Sequence, residues 1–155
     1  KLHLCCILTY GCLLRPHQEI RQLLWSDFLS LLSQVSLSGS RTKGKRNRVI
    51  PVPEYIRPYL TGGPADHNIF TGTTEAHNPD YFKTLWSKYK KQSTLLEKHH
   101  TLYSFRHTGA IKVYEKTGSL TVLQQVMGHA DLKTSLTYLR GLEVKQLDVE
   151  DLPEL

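Results

Sequence analysis

Residues 103–140 read YSFRHTGAIKVYEKTGSLTVLQQVMGHADLKTSLTYLR, and their reading decides the fold. The stretch predicts three short helices, because Gly118, Gly128 and Gly141 each stand where a helix would end in a left-handed cap. Arg106, His129 and Tyr138 fall close to those turns or helix ends, with Tyr138 nine residues after His129. A cation, an imidazole and a phenol so placed can converge on one small target. Taken singly, such a Tyr is ordinarily a core residue, and such a His ordinarily caps a helix or lies on the surface. The pattern gains meaning from two segments upstream.

The first, YGCLLRPHQEI at residues 10–20, places Arg15 in the joint between an apolar helix and a second one, PHQEIRQLLWSDF, opened by Pro16. Ile20, Leu23, Leu24 and Phe28 keep helical spacing on a core face. A basic residue in such a joint can point out of the core at a ligand; its plain alternative is a pair with Glu19. In the second segment, RTKGKRNRVIPVP at residues 41–53, Val35 and Leu37 before it and Val49, Ile50 and Val52 within it flank a polar stretch. That is a hairpin signal. Its turn carries five basic residues, Arg41, Lys43, Lys45, Arg46 and Arg48, and a basic hairpin on a basic domain suits phosphate contact.

Bulk properties agree with one soluble domain. The 155 residues carry a formal net charge of +6, which favours a polyanionic partner. The charge is uneven: residues 143–154 hold five acids against Lys145, a balance of −4, which leaves +10 for the remainder. Cys5, Cys6 and Cys12 are odd in number and clustered, so they read as core thiols in a reducing compartment, with no CxxC pair for zinc. The opening LHLCCILTYGCLL is too short for a membrane span and lacks a signal-peptide cleavage pattern. It reads as a buried helix, and a chain that starts almost inside a helix is expected to be part of a longer protein.

Between the hairpin and residue 103, EYIRPYL reads as a short helix, Ile69-Phe70 as a brief buried element, and Asn78-Pro79 as a helix start. In that helix Phe82, Leu85, Trp86 and Tyr89 form an apolar stripe, while Lys83, Lys88, Lys90 and Lys91 lie on other faces, where they can meet a polyanionic partner. The expected fold class is mainly α with a small antiparallel β-sheet.

These segments together resemble the tyrosine recombinases, the phage-integrase family. LQQVMGHADLKTSLTYL resembles the signature in which Leu-Gly-His precedes the nucleophilic Tyr by nine residues. YSFRHTGA resembles the His-x-x-Arg-His box, YGCLLRPHQEI the first arginine box, and RTKGKRNRVIPVP the hairpin with the catalytic Lys. The four occur in the family's order. The resemblance implies a catalytic domain over residues 1–141, an acidic tail at 142–155, and an absent N-terminal core-binding domain. It implies Arg15 and Arg106 as the phosphate-binding arginines, His129 as a further donor and Tyr138 as nucleophile. Lys43 becomes the general acid, counted back eight residues from Pro51, with Lys45 the alternative. Arg41, Lys45, Arg46, Arg48, Lys83 and Lys90 are the expected DNA contacts.

Two departures stand out. Glu19 lies four residues after Arg15 where the family has its acid three after, and Tyr103 stands where it has His. A phenol with a pKa near 10 is a poor general base at neutral pH. The implied reaction is metal-free cleavage and rejoining of double-stranded DNA through a 3′-phosphotyrosine, serving integration or excision of a mobile element. Four protomers would assemble on two duplexes, in the cytoplasm at the nucleoid. No cofactor is implied, since neither a paired-carboxylate metal site nor a Gly-rich phosphate loop occurs. The competing readings are a type IB topoisomerase-like relaxase, a DNA-binding module without catalysis, and a metal site built from His99, His100, His107 and His129.

Overall fold

The computed structural model describes residues 1–42 and 47–139. Helix α1 spans Leu2–Gly11 and sits at the centre. Cys5, Leu8 and Cys12 are fully buried at i, i+3 and i+7, and the Thr9 hydroxyl, also buried, donates to the Cys5 carbonyl at 2.7 Å. Helices α2 (Tyr81–Gln92) and α3 (Leu102–Thr117) both pack on it. The approach of α3 is close because of Gly109: a Cβ there would lie 2.2 Å from the Tyr10 carbonyl oxygen. That contact sets the end of α1 against the middle of α3.

The expected hairpin forms and gains a third strand. Strands β1 (Phe28–Leu29), β2 (Gln34–Leu37) and β3 (Arg48–Pro51) make an antiparallel sheet in chain order. Val35 pairs with Ile50 and Leu37 with Arg48. Since side chains alternate across a strand, Phe28, Val35, Leu37 and Ile50 face the core, and so does Arg48. Val49 faces out.

The segment PHQEIRQLLWSDF is not the expected helix. It holds only two short 3₁₀ turns, Ile20–Gln22 and Trp25–Asp27. Its backbone finds other partners: the Ile69 N–H donates to the Leu23 carbonyl at 3.1 Å and the Trp25 N–H to the His67 carbonyl at 3.0 Å. The apolar positions still do their work, with Ile20 and Leu23 fully buried. Likewise EYIRPYL makes a single 3₁₀ turn, Arg57–Tyr59, where Pro58 offers no N–H to extend it. Helix α2 begins two residues past Pro79, with Asp80 at its N-cap position. Phe82 and Trp86 of its stripe are buried, while Tyr89 is exposed.

The C-terminal stretch follows the glycine punctuation. Helix α3 ends at Gly118 (φ 62°) and α4 (Leu120–Met127) at Gly128 (φ 64°), both left-handed. Helix α5, Leu132–Leu136, runs into a 3₁₀ turn at Thr137–Leu139. Gly141 and the tail at 142–155 lie outside the described residues. A second, smaller core joins Leu13, Ala110, Leu123 and Met127, and Tyr138 packs against it. Leu13 takes part at a left-handed φ of 51°, a conformation that costs about 1 kcal/mol and that full burial of its side chain offsets.

Candidate active site

Arg15 emerges just after α1, and Glu19 fixes it. The Glu19 Oε2 accepts from the Arg15 backbone N–H at 2.8 Å, and Oε1 accepts from Arg15 Nη1 at 2.8 Å. The Glu19 side chain is completely buried. The extra residue between Arg15 and Glu19 is absorbed by the turn at 15–20, where the Glu19 and Ile20 N–H groups both donate to the Arg15 carbonyl. Glu19, whose role the spacing left open, is therefore the group that aims Arg15.

Arg106 projects from α3, three residues before the close approach at Gly109. It is wholly buried; Nη2 donates to the Met127 carbonyl at 2.8 Å, and the Tyr138 phenol lies against the guanidinium. Nε and Nη1 make no hydrogen bond among the described residues. Burial and then Arg15 lower its proton affinity, while Glu19 and the Tyr138 phenol raise it. A buried cation with two idle donors is costly unless an anion arrives.

His129 follows Gly128, and its Nδ1 lies 3.0 Å from Ser135 Oγ. Burial first, then Arg106, Arg15 and Arg48, push its pKa down to about 4. The ring is thus neutral at pH 7. With the proton on Nε2, the ring would accept from Ser135 at Nδ1 and leave Nε2 to donate to a phosphate oxygen; with the proton on Nδ1, it would donate to Ser135.

Tyr138 is partly buried between two imidazoles, with ring centroids 5.3 Å from His129 and 5.7 Å from His107. It is not sealed in a core remote from the arginines, the arrangement a purely DNA-binding module would favour. Tyr103 is 38% exposed and its ring centroid lies 5.9 Å from that of His17. Burial raises its pKa, and Arg15 and Arg106 pull the other way. A phenol with its pKa raised is a poor base at neutral pH.

Other expected residues go elsewhere. Arg48 was expected on DNA but is buried: Nη2 donates to Glu19 Oε2 at 2.9 Å and Nη1 to the Val126 carbonyl at 3.0 Å. Arg41 is likewise turned inward, paired with Asp27 and donating to the Gln22 carbonyl. Lys90 is tied to the carbonyls of Lys98 and His100. Lys83 stays exposed, 3.6 Å from Asp80. Lys43, Lys45 and Arg46 lie outside the described residues. Among those described, no three His, Cys, Asp or Glu side chains are grouped to hold a metal, so the four-histidine reading gains no support. The Arg48 position was readable: two residues before Ile50 on a strand, it had to share the inner face.

Beside these groups opens a cavity of about 410 Å³, lined by Arg15, Thr42, Arg48, Gln124, Gly128 and His129 among others. Arg15 and His129 line it, and Arg106 and Tyr138 lie beside those two residues, in a mainly helical domain with a small antiparallel sheet. That combination defines the catalytic domain of a tyrosine recombinase. The profile of the phage integrase family matches residues 2–144, and the chain belongs to that family.

The chain is 26% identical over 113 residues to a tyrosine recombinase of Pseudothermotoga lettingae, covering 68% of this chain and 38% of the relative. It is 27% identical over 140 residues to tyrosine recombinase XerA of Thermococcus onnurineus, covering 86% and 49%. With the integrase of Escherichia phage 186 the identity is 27% over 120 residues, covering 74% and 32%. The chain therefore spans less than half the length of these relatives. Among solved structures, XerA recombinase superposes with a TM-score of 0.69 at 20% identity, over 93% of this chain and 52% of that one. XerH bound to its difH substrate before cleavage gives 0.67 at 18% identity, over 96% and 44%. Among the described residues no helix is long and apolar enough to cross a membrane.

Proposed function

We propose that this chain is the catalytic part of a site-specific DNA recombinase that cuts and rejoins double-stranded DNA without a metal. The observation that carries the reading is Arg106: a fully buried guanidinium with two unpartnered nitrogens beside a phenol. Such a group needs an anion, and a phosphodiester held there stands next to a nucleophile.

In the reaction the Tyr138 oxygen attacks phosphorus and its proton passes to solvent water. The bond from phosphorus to the 5′ oxygen breaks, leaving a 3′-phosphotyrosine and a free 5′ hydroxyl. Arg15 and Arg106 present forked donors to the non-bridging oxygens, where the phosphorane-like transition state gathers charge. His129 Nε2 adds a donor that does not change charge with pH near neutrality, and Tyr103 adds a phenolic one. Lys43 protonates the leaving oxygen. Rejoining is the reverse, with a 5′ hydroxyl of another strand as nucleophile, so no external energy source is consumed.

The relatives include Xer recombinases and a phage integrase, which supports integration or excision of a mobile element as the biological setting. The XerH structure bound to its difH substrate supports DNA as partner; assembly of four protomers on two duplexes is what the family resemblance implies. The test is a duplex nicked just beyond the scissile position, so that the short 5′-hydroxyl fragment diffuses away. A covalent protein–DNA adduct on a denaturing gel is the expected result, and no adduct on any recombinogenic end would contradict the reading.

A further inference from the structure

Arg48 sits on the inner face of β3, and both of its terminal nitrogens are committed. One reaches the Glu19 carboxylate, the same group that holds the Arg15 backbone and side chain. The other reaches the Val126 carbonyl, in the last turn of α4. That carbonyl belongs to the set a helix end leaves without an intrahelical donor, and a cation there also opposes the negative end of the helix dipole. The contact continues into the next turn. A Cβ on Gly128 would come within 2.7 Å of Arg48 Nη1, so the guanidinium lies directly against the backbone that presents His129.

We infer that Arg48 is a positioning residue for strand cleavage: one guanidinium holds Arg15 through Glu19 and His129 through the end of α4. The inference rests on Arg15 and His129 binding the scissile phosphate as proposed above. Those two donors are 114 residues apart in the chain, and no direct hydrogen bond between them is present among the described residues. A common brace is what keeps their separation matched to one phosphate. The brace calls for a fork, because two acceptors at different places are engaged at once; a lysine ammonium reaches a single point. A role in stability alone is a weaker account, since a buried ion pair seldom adds net stability over well-packed apolar side chains.

The test uses the full 155-residue chain with Arg48→Met and Arg48→Lys, each alone and combined with Arg15→Ala. Single-turnover cleavage of the nicked duplex should fall roughly ten- to hundredfold in Arg48→Met, the scale of an ångström-level misplacement, with DNA affinity changed by no more than about twofold. Arg48→Lys should recover little. In the Arg15→Ala background the Arg48→Met loss should shrink to about twofold or less, because sites that act through one another are not additive. Nuclear magnetic resonance titration of the His129 imidazole should show an upward midpoint in Arg48→Met, as a neighbouring cation is gone. Full additivity with Arg15→Ala, rescue by lysine, or an unmoved His129 titration would each overturn the inference. Should Arg48→Met fail to fold, Arg48→Lys decides through the rates and their additivity with Arg15→Ala: recovery of the parent rate by lysine overturns the inference. If the parent chain forms no adduct, the functional reading fails, while the His129 titration still reports whether Arg48 holds that turn.

Discussion

The buried Glu19 carboxylate accepts hydrogen bonds from the Arg15 backbone N–H and from Arg15 Nη1, both at 2.8 Å. One side chain thereby fixes where Arg15 starts and where it points. Glu19→Ala leaves Arg15 and Arg48 without their shared anion, so stability should fall by about 3–5 kcal/mol, as when one partner of a buried pair is removed. Glu19→Gln keeps one acceptor and should melt closer to the parent, yet still cleave at least about tenfold more slowly. Denaturant melts with single-turnover rates check both.

Arg106→Lys should lose roughly a hundredfold in cleavage, the usual scale for one transition-state donor. An ammonium in that wholly buried site keeps the charge but cannot serve both the Met127 carbonyl and a phosphate. Parent-like single-turnover rates in Arg106→Lys would argue against direct contact.

His129 gives a stability prediction with a definite sign. Its folded pKa is about 4, below the ordinary 6.5, so between those values the unfolded chain binds more protons. Stability therefore falls as pH drops from about 6.5 towards 4, at most about 1.4 kcal/mol per pH unit from this one group. His17, lowered by burial in the same direction, adds to the slope. Thermal melts at pH 7 and pH 5 should show the loss, and His129→Gln should reduce it without abolishing it.

Gly109→Ala should destabilise by about 1–3 kcal/mol, the range for overpacking. The new methyl would meet the Tyr10 carbonyl oxygen at 2.2 Å and a Leu13 methyl at 2.7 Å. Because that contact sets α1 against α3, cleavage should fall more than the melting temperature alone implies. A parent-like melt would show that the two helices are free to separate.

How much of this was legible in the sequence depends on what kind of signal each residue carried. The left-handed caps at Gly118 and Gly128 were readable because few other residues tolerate that backbone. The hairpin was readable from alternation, though the two-residue strand β1 is too short to announce itself. The helix expected after Pro16 failed for a tertiary reason: its N–H groups pair with the 65–69 loop, which no local pattern reveals. Arg15, Arg106, His129 and Tyr138 were singled out through their motifs, and their side chains lie near one another; their catalytic roles are the proposal above. Arg41 and Arg48 were assigned to DNA because a run of basic residues looks like a solvated finger. Their carboxylate partners, Asp27 and Glu19, lie 14 and 29 residues away, beyond the reach of spacing arguments. The alternation rule, applied to Arg48 as it was to Ile50, would have turned it inward.

Tyr103→Phe should slow cleavage about tenfold or less, because Tyr103 supplies one neutral donor at a half-exposed position. Tyr103→His should retain or raise the rate, since an imidazole there can also take a proton. A greater loss in Tyr103→His than in Tyr103→Phe would mean that the phenolic hydroxyl does more than donate.

The central claim is that Tyr138 becomes covalently joined to DNA. Its most direct measurement is adduct formation on the nicked duplex by the parent chain and by Tyr138→Phe, followed by mass spectrometry of the tryptic peptide that carries the nucleotide. The account predicts an adduct on Tyr138 in the parent, joined through a 3′ phosphate. It predicts none in Tyr138→Phe, whose DNA affinity should stay close to the parent's because the ring packing against the second core is kept. An adduct of undiminished yield in Tyr138→Phe, or one mapped to another residue, would contradict it.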